Sequence, residues 1–343
     1  MEDRGTGSKP IKISVVVPVR NEEHSIRNLL EALLDQTLPP KEIVITDGGS
    51  SDATTKIIEQ FVRDGAPVKL IREHHALPGR GRNLGAARAN NEWVAFTDAG
   101  TKPARQWLAA LAQQVADNSA VDVVLGSYEP LIDSFFKECA AIAYVPPPVE
   151  MEEGTWIRPR SIASSLMRRK VWEAAGGFPE DLRSTEDLLF MRKVDHARFR
   201  IARAPNAIVH WEIQPNLRRT FKRFVSYAQN NIRGGLWREW QAAIFLRYAL
   251  ILALIVPSLF AGWRYLAVPL LFWLWMLVAR AGRALRRNRH CYPASHLRNL
   301  ARLSLLVPII ATLDMAVLLG SINWLIFDKL RHGGVRTEDV AKK

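Results

Sequence analysis

The chain has 343 residues, 48% of them hydrophobic, and a formal net charge of +13. That charge is uneven: residues 213–343 carry 20 Lys/Arg against 5 Asp/Glu, a net of +15, while residues 1–212 carry 27 against 29, a net of −2. The basic excess shares its part of the chain with long apolar runs, which points to a membrane surface and argues against DNA or RNA as a partner. The only two cysteines, Cys139 and Cys291, are far apart, which excludes a disulfide scaffold. Met1 to Lys12 is polar and of mixed charge and does not read as a signal peptide, so the N-terminal part is expected in the cytosol.

In chain order, Ser14 to Val17 is a β-branched run that predicts a buried strand. It ends in Pro18-Val19-Arg20-Asn21-Glu22. Ile26, Leu29, Leu30, Leu33 and Leu34 recur at helical spacing. Ile43 to Thr46 predicts a second strand, ending in Asp47-Gly48-Gly49-Ser50-Ser51-Asp52. Strand, helix and strand at this spacing make a right-handed βαβ unit, and such sheets bind ligands beyond the carboxyl ends of their strands. Both polar turns therefore stand where a nucleotide would lie. Asp52 itself reads as the cap of the next helix, whose apolar face is Ile57, Ile58, Phe61 and Val62. Val68 to Ile71 predicts a strand. The glycines of Pro78 to Ala89 are only a weak dinucleotide signal, because the strand does not run straight into them.

Trp93 to Thr97 predicts a strand ending in Asp98-Ala99-Gly100, Pro103 to Asp117 a helix, and Val121 to Leu125 a strand. Phe135 to Val145 is expected to be helical and Pro146 to Pro159 a loop, in which Trp156 either contacts a sugar or packs. Ser164 to Met167 reads as a strand and Val171 to Ala175 as a helix closed by Gly176-Gly177-Phe178-Pro179. Ser184-Thr185-Glu186-Asp187 then places two carboxylates at a helix start, where they either serve chemistry or complement the helix dipole. Phe199 to Val209 predicts a strand ending in His210-Trp211.

The turns Pro18-x-x-Asn21-Glu22 and Asp47-Gly48-Gly49-Ser50-Ser51-Asp52, at this spacing, resemble the N-terminus of the family 2 inverting glycosyltransferases. The resemblance implies an α/β GT-A fold: a nucleotide-sugar-binding domain with a mostly parallel sheet, followed here by C-terminal interfacial and transmembrane helices. It assigns donor binding to Pro18, Arg20, Asn21, Glu22, Asp47, Gly49, Arg82, Asp98 and Gly100. Arg82, Asn83 and Gly85 match a further family stretch, and Arg82 is expected near the diphosphate, since a guanidinium forks onto phosphate. Asp98 matches the first position of the family's Asp-x-Asp metal motif, and Gly100 replaces the second carboxylate. The implied cofactor is a divalent cation, Mg²⁺ or Mn²⁺, held by Asp98; His210 either completes that metal shell or approaches the diphosphate, or it is a half-buried histidine at the domain edge. One carboxylate suffices when phosphate and water supply the rest, and a metal-independent site is the alternative. Glu186-Asp187 resembles the family's Glu-Asp motif, which implies Asp187 as general base and Glu186 as its supporting or acceptor-binding neighbour.

Leu217 to Trp240 interleaves Arg218, Arg219, Lys222, Arg223, Arg233 and Arg238 with aromatics, as an amphipathic helix in the headgroup layer would. The Gln-x-x-Arg-Trp motif of processive relatives is not matched, so processive polymerisation is not expected. Ala242 to Trp263 is long enough to span a bilayer, and Tyr265 to Ala279 spans only with its flanks. Seven arginines and no acid lie between Arg280 and Arg302, a loop expected on the cytosolic side. Leu303 to Phe327 spans once or folds back as a re-entrant pair. The expected domains are a polar tail (1–12), a GT-A domain (13–212), an interfacial segment (213–241), a membrane region (242–327) around a basic loop (280–302), and a basic tail (328–343). The function implied is a multi-pass plasma-membrane glycosyltransferase with a cytoplasmic catalytic domain, a UDP- or GDP-sugar donor and a lipid-linked or membrane-proximal acceptor. It would serve cell-envelope glycan or glycolipid synthesis. The alternatives are a polyprenyl-phosphate sugar synthase and a non-catalytic nucleotide-sugar-binding scaffold.

Overall fold

The computed structural model describes residues 11–152 and 154–330, so most of both expected tails, 1–12 and 328–343, lies outside the described residues. Two compact units are present. One comprises the described residues up to Glu129 together with Pro148–Glu212; the other comprises Pro130–Pro147 and the described residues from Ile213 onward.

The first unit is built on an eight-stranded sheet ordered β3-β2-β1-β4-β9-β6-β10-β5. Its centre, β1 (Ile13–Val19), β2 (Glu42–Asp47) and β4 (Trp93–Phe96), is almost wholly buried, which is why these strands read as unbroken apolar runs. β1 lies parallel to both β2 and β4, and β2 parallel to β3 (Val68–Arg72). β9 (Ser165–Arg168) is antiparallel to β4 and to β6 (Val123–Leu131), so β6 points the same way as β1 to β4. The sheet is thus mostly parallel, as expected. β5 (Thr101–Pro103) pairs antiparallel with β10 (Ile201–Glu212) at the edge. Residues 146–159, expected as a loop, include a hairpin of β7 (Val149–Glu152) and β8 (Thr155–Ile157). Both β5 and this hairpin are made of three- or four-residue strands, too short for periodicity to reveal.

Alternation along β1 divides the core. Val15, Val17 and Val19 face α1 (Ile26–Leu34), α2 (Thr54–Arg63) and α4 (Trp107–Asp117). Val16 faces α3 (Pro78–Arg88), α6 (Arg169–Ala174) and α7 (Glu186–His196) on the other side. The glycines of α3 let it sit unusually close to β1. A Cβ on Gly85 would stand 2.5 Å from Val16 Cγ1, and one on Gly81 would stand 2.9 Å from Pro18 Cβ. The glycine-rich stretch therefore serves helix–strand packing.

In the second unit, α5 (Phe135–Tyr144) joins the C-terminal helices, although its sequence lies inside the stretch expected for the GT-A domain. Polar anchors hold it there: Glu138 pairs with Arg298 and Arg302, and Asn288 Nδ2 donates to the Ile142 carbonyl at 3.3 Å. α8 (Leu217–Arg233), the segment expected at the headgroups, is followed by α9 (Trp237–Trp240), α10 (Ala242–Ala261), α11 (Ala267–Arg287) and α12 (His296–Asn323). α12 is one continuous helix through Pro308, so Leu303 to Phe327 does not fold back. The expected basic loop is mostly helical: α11 extends to Arg287 and α12 begins at His296, in keeping with the good helix propensity of arginine. Three of its seven arginines meet acids inside the unit, Arg280 on the fully buried Asp314 and Arg298 and Arg302 on Glu138. α8 approaches α12 at Gly320, where an added Cβ would lie 2.4 Å from the Val225 carbonyl oxygen.

Replacing Gly85 by Ala should destabilise the first unit by about 1–3 kcal/mol through overpacking against Val16, read as a lower denaturant midpoint with an unchanged slope.

Candidate active site

The first two polar turns meet at the carboxyl ends of β1 and β2 and are sewn together. Asp47 is buried, and its carboxylate accepts the N–H of Gly49 at 3.2 Å, the N–H of Ser50 at 3.1 Å and the Ser50 hydroxyl at 2.5 Å. Gly49 sits at φ +83°, a left-handed conformation that favours glycine. Asn21, at φ +55°, donates its N–H to Ser50 Oγ at 2.8 Å and accepts the Ser51 N–H at 2.8 Å. Glu22 donates its N–H to Thr54 Oγ1 at 2.8 Å, and its carboxylate accepts the Ser25 hydroxyl at 2.5 Å. Asp52 accepts the N–H of Thr54 at 3.0 Å and of Glu23 at 3.2 Å; the N-cap of α2 is Ala53, so Asp52 stands one residue before the cap position expected of it and ties the two turns together. Asn21 and Glu22 therefore shape the turn, Pro18 supports α3 from below, and Arg20 stands exposed at the rim.

Arg82 organises the other side. It projects from the first turns of α3, is only 3% exposed, and forks onto two carboxylates. Nη1 donates to Glu186 Oε1 and Nη2 to Asp98 Oδ1, each at 2.6 Å. Its guanidinium also lies 5.5 Å over the Phe178 ring, which stacks on Phe190 of α7 at 3.9 Å. Asp98, expected at the metal, and Glu186-Asp187, expected at the base, are thus gathered around one cation. The diphosphate role expected of Arg82 meets a guanidinium whose two Nη atoms are already engaged by carboxylates.

With all groups ionised, three carboxylates around one guanidinium leave a net charge of −2. Burial works against the Arg82 charge, yet Asp98, Glu186 and Asp187 hold its pKa above the ordinary arginine value. Burial raises the Glu186 carboxyl, Arg82 opposes it, and Asp187 adds to the rise; the net direction is up. Burial likewise raises Asp187 against Arg82, with Asp98 contributing to the rise. Glu186 and Asp187 are the first two residues of α7, behind Thr185 at φ +82°. A β-branched residue rarely adopts that conformation.

Gly100 leaves its site open: an added Cβ would have no atom within 4 Å. Among the described residues no three of His, Cys, Asp and Glu gather as a metal-binding group. His210 lies opposite Lys102 in the β10–β5 pairing and is not gathered with Asp98 into such a group. The donor set fits a divalent ion only where the diphosphate brings most of the oxygens, with Asp98 as the protein's carboxylate. One cluster had no role assigned from sequence. Tyr128, just past the apolar run of β6, packs edge-on to Trp211 at 6.4 Å and under Arg158 at 5.9 Å. Trp211 pairs with Thr101, whose N–H donates to the Asp98 carbonyl at 3.1 Å. Only strand register brings Tyr128 and Trp211 to this turn.

A mostly parallel α/β sheet with acidic turns at its strand ends and a Glu-Asp pair opening a facing helix is the layout of a GT-A nucleotide-sugar transferase. The model of the family "Glycosyl transferase family 2" matches residues 14–173, a little under half of the chain. Among curated proteins the chain is similar to the glycosyltransferase AglE of Haloferax volcanii, 28% identical over 213 residues, covering 57% of this chain and 65% of that protein. It is also similar to the poly(ribitol-phosphate) beta-N-acetylglucosaminyltransferase TarS of Staphylococcus aureus, 29% identical over 201 residues, covering 53% of this chain and 32% of that protein. Each match thus spans less than two thirds of the relative's length. The fold is shared with a mannosyltransferase from Pyrobaculum calidifontis solved with GDP-Man and Mn²⁺. The TM-score there is 0.52 and the identity 20%, over 92% of this chain and 87% of that one. TarS residues 1–349 of S. aureus, solved with UDP-GlcNAc, give a TM-score of 0.50 at 18% identity, over 90% and 92% of the two chains.

Replacing Gly100 by Asp should leave stability unchanged within about 0.5 kcal/mol, as an open surface position allows. It should also tighten Mn²⁺ binding in the presence of a nucleoside diphosphate by about tenfold, the worth of about 1.4 kcal/mol from a second carboxylate, measured by calorimetry.

Proposed function

We propose that the chain is a membrane-bound inverting glycosyltransferase that moves a sugar from a UDP- or GDP-sugar to a lipid-linked or membrane-proximal acceptor in cell-envelope glycan or glycolipid synthesis. The observation that carries this reading is the Arg82 fork, which gathers Asp98, Glu186 and Asp187 beside the sheet's ligand-binding edge. Pro18, Arg20, Asn21, Glu22, Asp47 and Gly49 form the nucleotide end of the site, with the buried Asp47 carboxylate held in place by its own turn. Asp98 would hold a divalent ion, Mg²⁺ or Mn²⁺, whose chemistry is to offset the charge building on the leaving diphosphate. Asp187 takes the proton from the acceptor hydroxyl as that oxygen attacks the anomeric carbon from the face opposite the diphosphate, and one displacement inverts the centre. A raised carboxyl suits a base, because its conjugate acid is weaker than an ordinary aspartic acid. Glu186 stays with Arg82 and holds the helix start in register.

The membrane assignment is supported by three helical segments long and apolar enough to cross a bilayer, Ala242–Ala261, Trp263–Arg287 and His296–Leu330. Arginines at the ends of the last two support a cytoplasmic face for the segment that joins them, and hence for the transferase domain. A relative named for poly(ribitol-phosphate) and N-acetylglucosamine supports an envelope acceptor.

The test is nucleoside diphosphate release by membranes supplied with lipid extract, UDP- and GDP-sugars, and Mg²⁺, Mn²⁺ or EDTA. Asp187→Asn should lower turnover by about 10²- to 10⁴-fold, the range of a positioned base. Turnover of the intact enzyme should fall as pH drops through the raised Asp187 value, because the base works only when ionised. The acid limb should lie above the ordinary aspartate value of about 3.9. Transfer that survives Asp187→Asn with a polyprenyl-phosphate acceptor would reassign the nucleophile to phosphate, which needs little from a base. Tight nucleotide binding with no turnover on any donor would leave a scaffold.

A further inference from the structure

We propose that Arg82 is a positioning residue, not a diphosphate ligand: its ion pair with Glu186 holds Thr185 in a strained conformation and so fixes where Asp187 points. The inference rests on the transferase reading for its catalytic consequence and on geometry for everything else. Arg82 is immobile at its root, since Gly81 and Gly85 press α3 against β1 with no room for a Cβ. At its tip it spans two elements, Asp98 after β4 and Glu186 at the start of α7, with both contacts at 2.6 Å. Its face lies over Phe178, and Phe178 stacks on Phe190, so the guanidinium and the aromatic pair brace the same helix.

Thr185 immediately precedes Glu186 and is 5% exposed at φ +82°. Its carbonyl accepts the Leu189 N–H at 3.1 Å, so this residue sets the entry angle of α7. Strained backbone persists only where its surroundings over-determine it, and Glu186, one residue on, is tied to the buried Arg82 guanidinium. Without that tie, Thr185 relaxes toward negative φ and the first turn of α7 swings, carrying Asp187 off the line of attack. A diphosphate ligand would behave differently, because losing it would weaken donor binding and leave α7 in place.

The experiment compares the intact chain with Arg82→Lys, Thr185→Asn and the double variant. Lysine keeps the charge but cannot fork onto two carboxylates, and asparagine tolerates the left-handed region that threonine resists. Arg82→Lys should lower kcat by about 10²-fold, the cost of a misplacement near 1 Å, with affinity for UDP or GDP in EDTA unchanged, a condition that leaves the ion Asp98 would hold out of the comparison. Hydrogen exchange of the peptide covering residues 184–190 should rise in Arg82→Lys. Adding Thr185→Asn should return that exchange toward the starting level and recover about tenfold of kcat. Should Arg82→Lys fail to fold, Glu186→Gln loosens the same tie from the other end and should show the same pattern and the same rescue. A fall in UDP or GDP affinity that matches the fall in kcat overturns the proposal, as does a Thr185→Asn change that rescues neither exchange nor rate. If the intact chain turns over no donor, the transferase reading fails by itself, and exchange and nucleotide affinity still decide the role of Arg82.

Discussion

A buried guanidinium is costly to place, and the fold accepts that cost at Arg82 by surrounding it with carboxylates from separate elements. Removing one partner from such a cluster leaves charge stranded at low dielectric, which is far worse than never having buried it. Asp98 after β4 and Glu186 on α7 are more than eighty residues apart in sequence and reach the same cation. Because the cation sits on a helix pressed against β1, the positions of both carboxylates are referred to the central strand of the sheet.

The rest of the site follows from how parallel sheets end. Every strand from β1 to β4 delivers its last residue to the same edge, so Asp47 and Asp98 arrive on one side without any long-range instruction. Their turns are then stiffened locally, by Asp47 accepting hydrogen bonds from its own loop and by Asn21 and Glu22 bonding across to Ser50, Ser51 and Thr54. Several residues that resemble donor ligands thus hold the loop in shape.

In the second unit, charge does two kinds of work. Arg280 with Asp314, and Arg298 and Arg302 with Glu138, bind helices to one another. A basic stretch flanked by apolar segments therefore overstates the charge left for a membrane surface, since part of it is consumed internally. The same interplay assigns α5 to the C-terminal helices. An apolar helix with one glutamate gives no hint of its partner until arginines 160 residues later close on it.

Local chemistry was legible from sequence. The buried strands, the two polar turns, the Glu-Asp helix start and the apolar segments all follow from side-chain volume, branching and polarity within a few residues. The parallel pairing of β1 with β2 followed too, because a strand, a helix and a strand at this spacing make a right-handed βαβ unit. What sequence left undecided depends on contacts between distant segments. The glycines of α3 look alike whether they cradle phosphate or admit a neighbouring strand, and only Val16 and Pro18 beneath them decide. An arginine beside a glycine turn pairs with phosphate or with carboxylate according to what the fold brings within 3 Å of it, and the tertiary structure brings Asp98 and Glu186. Thr185 is an ordinary threonine in sequence; its left-handed backbone, one residue before the carboxylate paired with Arg82 and at the entry to α7, appears only in the tertiary structure.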